Sequence, residues 1–269
     1  MELDTTTRAD LIRVAHLLAD AARPETLRLF RSTDLIAHDK GAVAFDPVTE
    51  ADHAAEQAMR DILGRERPDD AILGEEYGHT PGTSGLTWVL DPIDGTRGYM
   101  SGTPTWGVLV AVSDAAGPRF GLIDQPYIGE RFAGGFGVAE MVGPHGTHFL
   151  KARGASELAG ATLLTTFPEV GTPAEMGAFQ AVSAQVKLTR YGMDCYAYAL
   201  LAAGQVDLVV EAGLNAYDIH APIAVIEAAG GIVTDWTGGP AHEGGRVVAA
   251  ANPGVHAAAL EILKAAVND

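Results

Sequence analysis

The sequence predicts a layered α+β protein in which sheets are covered by helices. Three observations lead there. The second half alternates short apolar runs with stretches of helical spacing. A chain of 269 residues, 47% hydrophobic and only 20% charged, can build a large core. A glycine-rich stretch, Gly134–Gly146, divides the chain into two expected subdomains, 1–145 and 146–269, sharing one compact unit.

Helical spacing runs from Thr6 to Arg31 and is expected to break at Pro24. A second helix should begin at Thr49, where Thr49 and Asp52 have the spacing of a capping box, and end before Pro68. Ala71–Leu73 and Thr87–Leu90 read as short buried strands, each followed by acidic residues. Further strands are expected near Trp106–Val112, Phe120–Ile123 and Glu130–Ala133. Beyond the glycine-rich stretch, strands are expected at Ala161–Thr165, Val186–Thr189, Val206–Glu211, Gly231–Asp235 and Val247–Ala250. The helices between them are Pro173–Ala184, Asp194–Ala203, Ile219–Ala229 and Val255–Ala266.

Charge narrows the function. With 18 Lys+Arg against 35 Asp+Glu, the net charge is −17. That balance argues against a nucleic-acid backbone or an anionic membrane surface as partner. Cys195 is the only cysteine, so neither an intrachain disulfide nor a cysteine zinc cluster can form. No apolar run approaches the ~20 residues that span a bilayer, and Met1–Asp4 lacks a secretory start. A cytoplasmic protein is the expectation.

The most informative segment is Asp91-Pro92-Ile93-Asp94-Gly95-Thr96. Two carboxylates sit between a strand and a helix start, with Pro92 restricting the turn. Hard cations such as Mg²⁺ prefer the carboxylate and carbonyl oxygens that this turn offers. The N–H groups of Gly95 and Thr96 would suit a phosphate oxygen. The same dipeptides also fill ordinary turns. Glu75 follows the strand Ala71–Leu73, Asp218 precedes a helix that it could equally cap, and Asp52 completes the arrangement with Thr49. Among nine histidines no ligand spacing stands out; His53 reads as a solvated helix residue, and His220, close to Asp218, as a lesser candidate for substrate contact. Cys195 reads as a small packed residue near the substrate wall.

Together these segments resemble a known family. Asp46-Pro47-Val48-Thr49-Glu50-Ala51-Asp52, Gly74-Glu75-Glu76, the Asp91–Thr96 signature, Tyr217-Asp218 and Glu227-Ala228-Ala229-Gly230-Gly231 follow one another as in the inositol monophosphatase family. The resemblance implies the five-layer α-β-α-β-α sandwich of the inositol monophosphatase and fructose-1,6-bisphosphatase type. It implies Mg²⁺-dependent phosphomonoester hydrolysis with two or three ions, and commonly a homodimer. Glu75, Asp91 and the carbonyl of Ile93 would hold one ion. Asp91 would bridge to a second, completed by Asp94 and Asp218, and Glu75 would touch a weaker third. Thr96 and Asp52 would form the hydroxyl–carboxylate pair that positions the attacking water.

Within the family the chain is most similar to the histidinol-phosphatase branch, through Asp124-Gln125-Pro126, Gly129-Glu130-Arg131, Arg190-Tyr191-Gly192 and Asp194–Tyr198. The substrate implied is L-histidinol phosphate, with Asp94, Asp194 and Glu211 as its contacts; Asp194 could also be a helix cap. Tyr217 stands where tryptophan is usual, Tyr99 where phenylalanine is usual, and His220 and Pro222 are departures from the pattern. Inositol 1-phosphate or another sugar phosphate is the alternative substrate. A catalytically silent binding protein would be expected to lack a metal carboxylate, and none is missing. A 3′-phosphoadenosine nucleotidase would call for an insertion or basic cluster that is not seen.

Overall fold

The structure is a computed structural model that describes residues 2–39, 47–154 and 157–267. Asp46, the first residue of the Asp46–Asp52 motif, lies outside the described residues. The elements, in order, are α1 Thr5–Leu29, β1 Ala37–Asp39, β2 Pro47–Thr49, α2 Glu50–Glu66, β3 Ala71–Gly74, β4 Gly78–Thr80, β5 Thr87–Asp94 and α3 Thr96–Ser101. The large sheet continues through β6 Gly107–Asp114, β7 Gly117–Gln125, β8 Glu130–Gly135, β9 Val138–Gly143 and β10 Gly146–Phe149. Then follow β11 Thr162–Thr165, α4 Pro173–Ser183, β12 Leu188–Tyr191, α5 Cys195–Ala202 and β13 Leu208–Leu214. The chain closes with α6 Ala216–Ala228, β14 Ile232–Asp235, β15 Gly245–Ala250 and α7 Pro253–Val267.

Five layers result. Helices α1 and α2 cover one face of an eight-stranded sheet ordered β10-β9-β8-β7-β6-β5-β3-β4. Helices α5 and α6 lie between its other face and a five-stranded sheet ordered β12-β11-β13-β15-β14. Helices α4 and α7 pack together on the outside. Both faces of the sheet's central strands are therefore buried, and these strands read as continuous apolar runs. Trp88, Leu90, Val108, Val110 and Val112 pack toward α1 and α2, whereas Val89, Leu109 and Ala111 pack toward α5 and α6. A third apolar layer, including Val210, Trp236, Val248 and Leu263, joins the small sheet to α4 and α7.

Two sequence expectations change. Helix α1 runs through Pro24 without a break, because Val14, Leu18, Ala22 and Leu29 bury a continuous stripe on the sheet. Packing of that stripe outweighs the one helix bond that proline forfeits. The glycine-rich stretch expected to end a subdomain instead holds the turns joining β8, β9 and β10, and the chain leaves the large sheet only after Phe149. Tyr99 differs from phenylalanine for a visible reason: its buried hydroxyl donates to the Thr26 carbonyl, 2.7 Å away.

Candidate active site

Strand β5 brings Asp91 and Asp94 to one place by breaking its own pleat. In a regular strand, residues three apart point to opposite faces. Pro92 cannot donate to the ladder, and the pairing with β6 shifts register between Asp91 and Asp94. The irregularity turns both carboxylates to the same side. The N-terminal turn of α6 adds Asp218, so that oxygens of Asp91, Asp94 and Asp218 all lie within 4.8 Å of one another.

Each carboxylate is positioned by backbone. Asp91 Oδ1 accepts the Ile93 N–H at 3.0 Å, Asp94 Oδ2 accepts the Cys195 N–H at 2.5 Å, and Asp218 Oδ2 accepts the Asn215 N–H at 2.6 Å. Asp218 is therefore not the helix cap; Asn215 holds that position and Asp218 reaches back from the first turn. Burial, then Glu75, Asp94 and Asp218, push the Asp91 carboxyl well above the usual range. Burial, then Asp194 and Asp218, do the same to Asp94. A divalent cation with a preference for oxygen ligands would offset this repulsion, so the donor set fits a hard metal.

The hydroxyl–carboxylate pair expected between Thr96 and Asp52 is not joined in this structure. Thr96 Oγ1 donates to the Ile93 carbonyl at 3.1 Å. Asp52 Oδ2 accepts Thr49 N–H at 2.9 Å and Thr49 Oγ1 at 2.6 Å, the capping box that the spacing suggested. Asp52 Oδ1 is buried and has no hydrogen-bond partner among the described residues. Burial pushes the Asp52 carboxyl up to about 6 against those Thr49 bonds. Gly95 takes φ +88°, and a Cβ there would stand 2.8 Å from Asp194 Cγ, so this position needs glycine.

Asp194 lies beside the Asp91–Asp94–Asp218 cluster and makes no capping bond from its side chain. Burial pushes its carboxyl up to about 6, while Thr105 and Arg97 favour the ionised form. Glu211, buried at the end of the regular part of β13, accepts Thr166 N–H at 2.6 Å and Thr166 Oγ1 at 3.0 Å. Its carboxyl is pushed up to about 7, by burial first. A cleft of about 210 Å³, lined in part by Arg97, Thr166, Phe167 and Asp194, opens beside them. The Arg97 guanidinium stacks on the Phe167 ring, 4.7 Å from its centroid. Sequence reasoning missed Arg97, Thr166 and Phe167; their signal was adjacency, to Thr96 in one case and to the end of strand β11 in the other.

His220 is not a substrate contact here. Its two ring nitrogens are engaged by Ser113 Oγ at 2.7 Å and by the His242 carbonyl at 2.8 Å. Cys195 is buried, and burial followed by the neighbouring Asp94 raises its thiol well above the ordinary value, so it stays a packed thiol.

Residues 7–268 match the inositol monophosphatase family. The chain belongs to that family. Its members are metal-dependent phosphoric monoester hydrolases, and this chain is one by membership. It is 39% identical to the bifunctional phosphatase IMPL2, chloroplastic, of Arabidopsis thaliana, over 98% of this chain and 78% of the relative. It is 35% identical to the histidinol-phosphatase of Streptomyces coelicolor, over 92% of this chain and 94% of that one. An inositol monophosphatase from Zymomonas mobilis has a solved structure that superposes with a TM-score of 0.84 at 37% identity, covering 95% of this chain and 98% of that one. The five-layer arrangement is the inositol monophosphatase fold. Among the described residues no helix is long and apolar enough to cross a membrane.

Proposed function

We propose that this inositol monophosphatase family member is a Mg²⁺-dependent phosphatase whose preferred substrate is L-histidinol phosphate, placing it in histidine biosynthesis. One observation carries the substrate choice. Beside the Asp91–Asp94–Asp218 cluster stands a second pair of acids: Asp194, which borders a cleft, and Glu211, which accepts the N–H of Thr166 in the lining of that cleft. Histidinol phosphate presents an ammonium and an imidazole, which such acids would receive; inositol phosphate presents neutral hydroxyls. The relative from Streptomyces coelicolor, a histidinol-phosphatase aligned over nearly the whole chain, supports the same reading. The Zymomonas mobilis structure supports the alternative, inositol 1-phosphate.

In this reading Glu75, Asp91 and the Ile93 carbonyl would hold one ion, and Asp91, Asp94 and Asp218 would hold the other. When bound, Mg²⁺ supplies charge neutralisation at the phosphoryl oxygens and a water that is easier to deprotonate. Gly95 and Thr96 present backbone N–H groups to the phosphate. Asp52 Oδ1, buried and unengaged among the described residues, is the acceptor for the proton of the attacking water, and Thr96 orients that water. Acids from both parts of the chain, Asp52 to Asp94 and Asp194 to Asp218, make one catalytic unit, and we take that unit to assemble as a homodimer.

The test is phosphate release from histidinol phosphate, inositol 1-phosphate and fructose 1,6-bisphosphate, with Mg²⁺ and with EDTA. Preference for histidinol phosphate and silence in EDTA are expected, and Asp91→Asn should lose most of kcat. Full activity in EDTA removes the metal mechanism. Preference for inositol 1-phosphate removes the substrate assignment and leaves the mechanism standing.

A further inference from the structure

Glu56 takes no part in the site described above, yet it is a fully buried carboxylate one helical turn beyond Asp52. Its oxygens accept the Glu76 N–H at 2.7 Å and the Tyr77 N–H at 3.2 Å. They also accept Arg60 Nε at 2.8 Å. Arg60 continues across the same turn, donating to the Gly78 carbonyl at 2.6 Å and to Thr80 Oγ1 at 2.9 Å. The segment so gripped is the connection between β3 and β4, and it contains Glu75. On its other side, the Glu75 N–H donates to the Leu90 carbonyl of β5 at 3.2 Å. The backbone of Glu75 is thus tied before and after its own Cα. Gly74 admits the clamp: a Cβ at that position would overlap the Glu56 carboxylate.

From this we infer that Glu56, braced by Arg60, is a positioning residue for Glu75, setting where that carboxylate meets a metal ion. The inference rests on the reading of Glu75 as a ligand. A buried ion pair alone often contributes little net stability, since desolvation offsets the attraction. A charged acceptor for two successive backbone N–H groups is a different matter. It holds a turn in one conformation, and the residue between the anchors has little freedom left to follow an ion or evade one. Helix α2 also carries Asp52, so one rigid element sets both Asp52 and Glu75 relative to the strand that carries Asp91.

Glu56→Gln tests this. The amide keeps the shape but offers one oxygen and an NH₂ to three donors. Mg²⁺ is titrated into the protein alone by calorimetry, its half-saturating concentration is measured in turnover, and thermal melts report folding. Glu56→Gln should bind Mg²⁺ about 10- to 100-fold more weakly, as supporting residues of a metal site do, with kcat at saturating Mg²⁺ reduced far less. Glu56→Asp, which keeps the charge, should recover part of that affinity. Arg60→Met is the second variant, and the same weakening is expected of it if Glu56→Gln does not fold. A folded Glu56→Gln, or Arg60→Met in its place, with wild-type Mg²⁺ affinity and only a lower Tm overturns the inference. Glu75→Gln is the reference: weakened Mg²⁺ binding there, with Glu56→Gln unchanged, refutes the clamp alone. Wild-type affinity in Glu75→Gln refutes the ligand reading and the clamp with it.

Discussion

Replacing Asp194 by glycine should move stability and substrate choice in different directions. Asp194 has φ 45° and ψ −140°, a backbone conformation that side-chain-bearing residues rarely adopt. Such a residue costs on the order of 1–3 kcal/mol, which glycine relieves. Glycine returns roughly 0.5–1 kcal/mol through the freedom of the unfolded chain. Loss of the support that Thr105 and Arg97 lend the ionised carboxyl takes back about 1 kcal/mol more. Removing a carboxylate that repels Asp94 adds to the favourable side. The net is a stability level with wild type or higher by about 1 kcal/mol, a Tm shift of roughly 0 to +4 °C for a chain of this size. The carboxylate itself is gone. A charge-assisted hydrogen bond to the ammonium or imidazole contributes about 1.5–3 kcal/mol, so kcat/KM on histidinol phosphate should fall roughly 10- to 150-fold. The assay is kcat/KM on histidinol phosphate and on inositol 1-phosphate, with melts on the same preparations. A protein that melts markedly lower, or that loses both substrates equally, refutes the reasoning: Asp194 would then be a structural residue and the substrate assignment would lose its main support.

Thr96→Ala should keep Mg²⁺ affinity by calorimetry and lose about 10²-fold in kcat, the lower range for positioned proton-transfer groups. Because Thr96 donates to the Ile93 carbonyl, a collapse of metal affinity would instead mean that its hydroxyl serves to hold that carbonyl. Glu211 gives a pH signature. Its carboxyl, ordinarily near 4.5, is pushed up to about 7 in the fold. A raised carboxyl leaves stability intact at low pH and erodes it as pH climbs from about 4.5 to 7, because the unfolded chain releases the proton first. Glu211→Gln should therefore match wild type near pH 4.5 and melt higher at pH 8, by at most roughly 3 kcal/mol. Its kcat/KM on histidinol phosphate should lose the rise that wild type shows as Glu211 ionises. Identical melting curves at both pH values would show that Glu211 is not held protonated by the fold.

Local structure around the candidate site was legible in the sequence where a residue's neighbours in space are its neighbours in the chain. The Thr49–Asp52 capping box needs only helical spacing, and it formed as expected. The same holds for the strand end that carries Asp91 and Asp94, since Pro92 makes its irregularity a local matter. The buried runs of β5 and β6 were legible as strands for a related reason: a sheet covered on both faces needs apolar residues at every position, and the run of them is visible without knowing the cover.

What the sequence alone determined, then, was the central strands and most helices, though not the edge strands β4, β9 and β10, and the family pattern of acids at the ends of strands and helices. Both follow from local periodicity and from motifs whose members lie a few residues apart. Only the tertiary structure decided which partner each polar atom takes. Asp194 took a strained backbone at the N-cap of α5 and gave the helix no side-chain bond, since the side chain lies against Gly95 and Asp94. Helix α1 carried Pro24 unbroken because a stripe of contacts with a distant sheet outweighed one lost bond. Glu56 looked like one more helix glutamate until the fold wrapped the turn holding Glu75 around it. Hydrogen-bond partners far apart in the chain compete for the same few buried donors, and that competition is settled by packing geometry, which no local pattern of residues encodes.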